Sequence, residues 1–547
     1  MLNCNTANLS RIAYALLFLL SVITLILSCF IPIHIDDIMA DIAFSRAGYD
    51  GWKGIGVLVI CKSSFATPIP VTLLPGRAFA WLLYYPLSTP VAIRVFGVSL
   101  FAGWIGSLAW GIRKSLSIAP SWGKILSLII SLVFLGVMPF LPVFIRPETL
   151  MAIVIAFYAL LPFYHQKNQP SSYECMIITV IFLFASSWFF SIHPKALLFT
   201  PLVLYSFLTL RNRAFFKAAS LSVLLCTIIQ SYNYWASRMQ CPESIKTSQY
   251  INGKGLQLRF LIENPRHFFD AFFFLLGKST HYLDNVIFAS DYHLLWLPDA
   301  HINSLHIIAN FLIKSVVVAV LGFWLFSLIK MARKACEKKT FLAPGVSVPF
   351  LIVISLILMA GVQGTKNFYD MTLFWLIGSC LTIILLYGAD SIFSQRMRRN
   401  ILAGLVCLSL LSQSLLISIY WILPAISAHA GINGEFNNDQ EMSILHYSER
   451  HEHIVHAASQ CGISPDQENQ HLAVDMYTYL EFRDSYQPIF IKFIDNPENI
   501  LLPFLKSVDS AGLITLCRSL PKNIQDTSIQ DNGLCCIKKD VIYSSIH

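Results

Sequence analysis

The stretch IAYALLFLLSVITLILSCFIPIHIDD, Ile12 to Asp37, decides how this chain is read. Its first part, Ile12–Ile31, carries no charge. It has about the 20-residue length that crosses the hydrocarbon core of a bilayer. Its end, IHIDD, sets His34 and the adjacent carboxylates Asp36 and Asp37 at a membrane–water boundary, with Asp41 one helical turn further on. Ionisable groups are costly to hold at that depth, so a functional site is their default reading.

Composition extends this reading to the whole chain. Of 547 residues, 55% are hydrophobic and 13% are charged, and mean hydropathy is +0.61. Soluble domains carry about 25% charged residues. Forty Phe, 21 Tyr and 11 Trp supply aromatic belts for the two interfaces of a polytopic membrane protein. A net charge of +8 is modest, and nothing in its pattern calls for nucleic acid. Arg11 is a thin positive flank and many apolar runs follow, so the first run is expected to stay as a transmembrane helix and not to be removed as a signal peptide.

Apolar windows fall near 12–32, 88–112, 122–145, 149–165, 174–192, 196–210, 214–232, 303–330, 345–363, 371–388 and 400–424. They predict an α-helical bundle of about 11 transmembrane helices over 1–424. A soluble α/β domain is expected over 425–547. With the N-terminus cytoplasmic, the inner loops hold Arg113, Lys114 and Lys124; Lys167; Arg211, Arg213 and Lys217; Lys330, Arg333, Lys334, Lys338 and Lys339; and Arg396, Arg398 and Arg399. This is the positive-inside pattern. The outer side then receives loops of about 33–87 and 233–302 and the tail. In the second loop, Phe268–Leu276 is too short to span and reads as an interfacial or re-entrant helix opened by Asn264-Pro265.

The same helix count carries three more polar clusters to the outer side. They are Arg146-Pro147-Glu148, His193-Pro194-Lys195, and QGTKNFYD over Gln363–Asp370, with Lys366 and Tyr369. Each has a plain reading: Arg146 and Lys195 snorkel beside prolines, His193 is a hydrogen-bonded structural residue, Lys366 lies in a solvated turn, and Arg77 and Arg94 anchor the interface. Their convergence on the face that holds Asp36 and Asp37 favours a joint role. Cations there suit the phosphate of a lipid headgroup and stabilise charge on a departing phosphate. A carboxylate can accept the proton of an attacking hydroxyl or amine.

IHIDD after the first helix, basic motifs at outward helix ends (RPE, HPK, GTKNF) and a soluble C-terminal domain together resemble the GT-C superfamily of integral membrane glycosyltransferases. That resemblance covers about 1–424. It implies transfer of a sugar from a polyprenyl-phosphate donor to a glycan or lipid acceptor, with inversion, on the periplasmic face of a bacterial inner membrane. By the same resemblance Asp36 or Asp37 is the catalytic base. Arg146, His193, Lys195 and Lys366 bind the donor phosphate, with His34, Asp41, Glu148 and Tyr369 as further cavity residues. Some members use a divalent metal. A single Asp pair offers too few oxygen ligands, so neither a metal nor another cofactor is expected here. The only Asn-x-Ser/Thr site, at Asn8, is cytoplasmic in this topology, in keeping with a bacterial membrane. The alternatives are a transporter or flippase of envelope precursors and a non-catalytic envelope assembly protein. Transporters tend to show internal repeats and midplane charges, and neither is evident here.

In the tail, LAVDMYTYL, PIFIKFI, GLITLCRSL and GLCCIKK read as strands between helices or turns, a pattern with a Rossmann-like hint but no GxGxxG. The 13 cysteines contain no CxxC pair. Cys461, Cys517, Cys535 and Cys536 gather in the tail, where an oxidising compartment would allow one or two disulfides of unspecified pairing.

Overall fold

The computed structural model describes residues 3–29, 59–61, 64–66, 89–117, 120–135, 147–192, 194–209, 220, 223–225, 228, 266, 304–363, 369–388, 391–418, 447–464, 470–475, 477–491, 497–507 and 509–544. The chain divides into two compact units: Met1–Ile31, Val95–Ile228 and Leu258–Glu435 form one, and Pro32–Arg94, Ile229–Gln257 and Phe436–His547 the other. Most described residues are helical, with one small sheet and a short hairpin.

The first unit is a helical bundle. Its helices are α1 (Asn3–Ser28), α2 (Pro90–Ser115), α3 (Trp122–Val133), α4 (Pro147–Asn168), α5 (Ser172–Ile192), α6 (Thr200–Leu208), α7 (Ser304–Lys338), α8 (Pro344–Gln363), α9 (Tyr369–Tyr387) and α10 (Gln395–Ile417). A 3₁₀ turn, Pro194–Phe199, links α5 to α6. Among the described residues, three helical segments are long and apolar enough to cross a membrane: Arg11–Ser28, Pro90–Ser115 and Thr149–Asn168. Five other apolar helical stretches run only 10–17 residues, so the eleven predicted windows are not all matched by spans among the described residues. Of the predicted seventh window, 214–232, only 220, 223–225 and 228 are described, all helical, and the interfacial helix over 268–276 lies outside the described residues.

α1 has the surface pattern of a helix suited to lipid. Leu17, Ser21, Thr24 and Ser28 face inward, buried, at helical spacing, while Leu16, Phe18, Leu19 and Ile26 are exposed. A helix in water buries its apolar stripe and exposes its polar one. Here the small polar groups pack and the large apolar groups point out, which costs nothing only in hydrocarbon. Hydroxyls meet their needs by donating to their own helix, as Ser21 to the Leu17 carbonyl at 2.8 Å and Ser28 to the Thr24 carbonyl at 2.7 Å.

Side chains also tie helix to helix. The Gln413 amide of α10 accepts from Thr24 Oγ1 at 3.0 Å and donates to Ser21 Oγ at 3.2 Å, clamping α1. Trp375 of α9 donates to the Leu132 carbonyl of α3 at 3.0 Å, and Trp324 of α7 donates to Thr382 of α9 at 2.8 Å. Tyr158 of α4 bonds the Phe182 carbonyl of α5, and Ser206 of α6 donates to the Tyr158 carbonyl.

The first loop contributes an antiparallel hairpin, β1 (Val59–Cys61) with β2 (Ser64–Ala66). The tail opens with α11 (Tyr447–Gln460) and continues through β3 (His471–Val474), α12 (Tyr479–Phe482), β4 (Gln487–Phe490), α13 (Pro497–Ser507), β5 (Gly512–Leu516), α14 (Lys522–Gln525), β6 (Ile529–Asp531), β7 (Leu534–Lys538) and α15 (Lys539–Ser544). The sheet runs β4-β3-β5-β7-β6. β4, β3 and β5 are parallel, and β7 and β6 are antiparallel additions. All four apolar runs quoted from the tail contain a strand. The Rossmann-like hint holds only for the three parallel strands, because Asn532-Gly533, at φ 45 and 80, makes a tight hairpin turn that reverses the chain into β7.

The sheet has a packed core on each face. Ala473, Ile489, Leu505, Leu513, Cys535 and Ile537 belong to the first core, with Leu501, Phe504 and Ile542 from the helices. α11 packs on β7 and β6 and buries Ile454, Ala457 and Ala458. Gly462, at φ 67, ends α11: the Ile463 amide reaches the Ala458 carbonyl and the Gly462 amide the Ser459 carbonyl. His451 and His456 of α11 pair with Glu481 and Asp531.

Candidate functional site

The parts of the first unit can be oriented by the bonds at one of its ends. Lys167, at the end of α4, donates to the Arg113 and Leu116 carbonyls at the end of α2, at 3.2 and 2.9 Å. His165 of α4 bonds Thr209 just past α6 at 3.2 Å, and Tyr205 of α6 donates to the Leu342 carbonyl before α8 at 2.8 Å. A Cβ on Gly388, after α9, would stand 3.6 Å from Phe163 of α4. Arg398, near the start of α10, lies 5.5 Å over the Tyr387 ring at the end of α9. The basic residues assigned to inner loops at 113–114, 167 and 398 thus share one end of the bundle. Lysines and arginines at helix C-termini also cap orphan carbonyls and complement the dipole there.

The opposite end follows by direction. α4 starts there at Pro147, α5 ends there at Ile192, α8 ends there at Gln363 and α9 starts there at Tyr369. The described members of the three motifs, Pro147-Glu148, Pro194-Lys195, and Gln363 with Tyr369-Asp370, stand at or next to these helix ends. α1 has Tyr14 within electrostatic reach of Tyr387 and Thr24 bonded to Gln413, four residues before the end of α10. It therefore runs parallel to α10, with Ser28 at that same end of the bundle.

Of the individual candidates, His34, Asp36, Asp37, Asp41, Arg146, His193 and Lys366 lie outside the described residues. Glu148 and Tyr369 sit in the first turns of α4 and α9 as helical backbone. Lys195 is the second residue of the 3₁₀ turn, which packs against α5, α6 and α8, and is 6% exposed. That burial argues against simple snorkelling, because a snorkelling ammonium keeps its charged head in water. Arg94 also departs from its reading as an interface anchor. It stands in the second turn of α2 and is 0% exposed. A guanidinium one turn inside an apolar helix was the available signal.

Among the described residues no cluster of three or more His, Cys, Asp or Glu stands in metal-binding arrangement. The first-loop carboxylates fall outside that search.

The tail has a second polar centre that the sequence did not flag. Asp475 follows β3 and is 8% exposed. Its Oδ1 accepts from the Thr478 amide at 3.0 Å and Thr478 Oγ1 at 3.1 Å. Its Oδ2 accepts from Thr515 Oγ1 at 2.7 Å, the Leu516 amide at 2.8 Å and Ser519 Oγ at 3.3 Å. The carboxylate joins the carboxyl ends of β3 and β5, where the strand order changes direction and open α/β sheets commonly take ligands. Here the acceptor capacity is filled by the chain itself, so Asp475 is a staple.

The two tail disulfides use the strand geometry. Cys461, just after α11, bonds Cys536 with Cα atoms 6.1 Å apart, and Cys517, just after β5, bonds Cys535 at 4.7 Å. Successive side chains of a strand point to opposite faces. The adjacent Cys535 and Cys536 therefore tie β7 to β5 on one face and to α11 on the other.

A scan against protein-family models matches none, and a search of curated proteins finds no similar chain.

Proposed function

We propose that this chain is a multi-span glycosyltransferase of a bacterial inner membrane, with about 11 spans, a cytoplasmic N-terminus and a periplasmic tail. It transfers a sugar from a polyprenyl-phosphate donor to a glycan or lipid acceptor. The observation that supports the reading is the polarity of the bundle: α4 and α9 start, and α5 and α8 end, opposite the basic residues at 113–114, 167 and 398, and Lys195 is buried just after α5. The tail disulfides support an oxidising compartment around the tail. In this mechanism Arg146, His193, Lys195 and Lys366 hold the donor phosphate and stabilise its charge as it leaves. Asp36 or Asp37 takes the proton of the acceptor, which attacks the anomeric carbon and inverts it. Lys195 is where the reading is most exposed to test.

The test is transfer in vesicles loaded with a radiolabelled polyprenyl-phosphate sugar. Asp36→Asn with Asp37→Asn should abolish transfer while leaving donor binding intact. Lys195→Gln should raise the donor concentration needed for half-maximal rate more than the acceptor concentration. Full activity of the double variant would remove the base. Movement of labelled lipid across the bilayer without transfer would favour a flippase.

A further inference from the structure

We infer that the tail reaches its native disulfides only with the help of a thiol–disulfide isomerase, a partner with a reactive Cys-x-x-Cys dithiol. The inference rests on the periplasmic placement proposed above. Four cysteines allow three pairings. The structure holds the nested one, Cys461–Cys536 around Cys517–Cys535, with sequence separations of 75 and 18. The consecutive pairing is Cys461–Cys517 with Cys535–Cys536, and the crossed pairing is Cys461–Cys535 with Cys517–Cys536.

Order of arrival works against the native set. Cys461 leaves the membrane first and Cys517 second. A protein disulfide oxidant that accepts their two electrons and two protons joins them at once. The short closure from Cys517 cannot tell Cys535 from its neighbour, since loop-closure entropy differs negligibly for one residue. Only the pleat of β7 separates the two sulfurs onto opposite faces, and β7 is the last strand of the sheet. It is fixed by register with β5, Thr515 against Cys535 and Ile514 against Cys536. The information that selects the pairing therefore exists only after mispairing has become possible.

Exchange repairs this without net redox change. The isomerase thiolate attacks Sγ of Cys517 in Cys461–Cys517, and Cys461 leaves as a thiolate. Cys535 then attacks the mixed disulfide at Cys517 and releases the isomerase thiolate. The disulfide oxidant takes two electrons and two protons from Cys461 and Cys536. Burial shields the product: Cys535 is 0%, Cys536 1% and Cys461 5% exposed, so the Cys461–Cys536 bond is out of reach of another thiolate and the Cys517–Cys535 bond can be approached only from the half-buried Cys517. Mispaired chains cannot close both faces and stay accessible.

The experiment is cell-free synthesis of the full chain into membrane vesicles whose lumen holds reduced and oxidised glutathione, with or without a purified thioredoxin-fold isomerase. Thiols are blocked with an alkylating agent and disulfide peptides mapped without reduction. Without isomerase, Cys461–Cys517 and Cys517–Cys536 peptides should accumulate and Cys461–Cys536 should be lost; isomerase should restore it. The variant Cys461→Ser with Cys536→Ser leaves one possible tail pair, and Cys517–Cys535 should then form equally with or without isomerase. Native pairing at the same rate in both lumens would overturn the inference alone, as would isomerase dependence of the two-serine variant. Four alkylated thiols in every sample would overturn the periplasmic placement and the inference with it.

Discussion

Replacing Asp475 by Ala should unlock the tail sheet. The carboxylate takes five hydrogen bonds, two from the Thr478 and Leu516 backbone amides and three from hydroxyls. Thr478 Oγ1 also donates to the Ile514 carbonyl at 2.9 Å, so that hydroxyl keeps a partner after truncation. The two amides do not, and Thr478 and Leu516 are 0% and 5% exposed. An orphaned buried donor costs about 1–3 kcal/mol, so two cost roughly 2–6 kcal/mol, and a value near 4 is expected. That is a large share of the 5–15 kcal/mol typical of a whole domain. Asp475→Asn keeps one oxygen but turns an NH₂ towards donors, and should lose about half as much. The assay is pulse proteolysis of the full-length protein in detergent across a urea series, disulfides intact, scoring cleavage within 447–544. A midpoint unchanged in Asp475→Ala would refute the staple. Lost transfer activity with unchanged stability would move Asp475 from staple to ligand site.

Gly378→Ala should destabilise the bundle, since its Cβ would lie 2.5 Å from Trp324, whose ring is held by Thr382. Overpacking of this kind costs about 1–3 kcal/mol, and Trp324→Phe should relieve it in a double-mutant cycle read by thermal unfolding in detergent. Gln413→Leu keeps the volume but loses the clamp on α1; at about 0.6 kcal/mol per bond in membranes, a loss near 1–2 kcal/mol is expected in the same assay. The contact of Asp509 with Lys539 and Tyr543, at 2.8 and 2.6 Å, should shape the pH response of α15. Hydrogen bonds from Lys539 and Tyr543 hold the Asp509 carboxyl below its ordinary 3.8, so its contribution is complete above that value and is lost as pH falls through the lower folded pKa. Bonding to Asp509 raises Tyr543 above 10.0 and Lys539 above 10.5, so the alkaline loss comes as pH rises through those folded values. Amide exchange in α15 against pH measures both edges, and Asp509→Asn, tolerated at φ 52, should remove the acid one.

Much of the architecture was legible from residue order. Apolar runs of spanning length announce helices in lipid because each helix satisfies its backbone internally, whatever its neighbours are. The tail strands were readable for a similar reason: LITL and LCCI are local apolar runs bounded by turn residues. Pairing was not readable. Nothing within Cys535-Cys536 says which sulfur meets Cys461, because that depends on the pleat of a strand placed by β5 and α11. Asp475 looked like any loop acid until β5 brought Thr515, Leu516 and Ser519 to it. Arg94 looked like an interface anchor until the fold buried it, and Lys195 until α6 and α8 closed over it. Sequence alone marked apolar stretches as helices or strands, since periodicity and length are properties of a single segment. Only the tertiary structure decided which polar groups are enclosed and which sulfurs join, since those energies depend on atoms tens or hundreds of residues away.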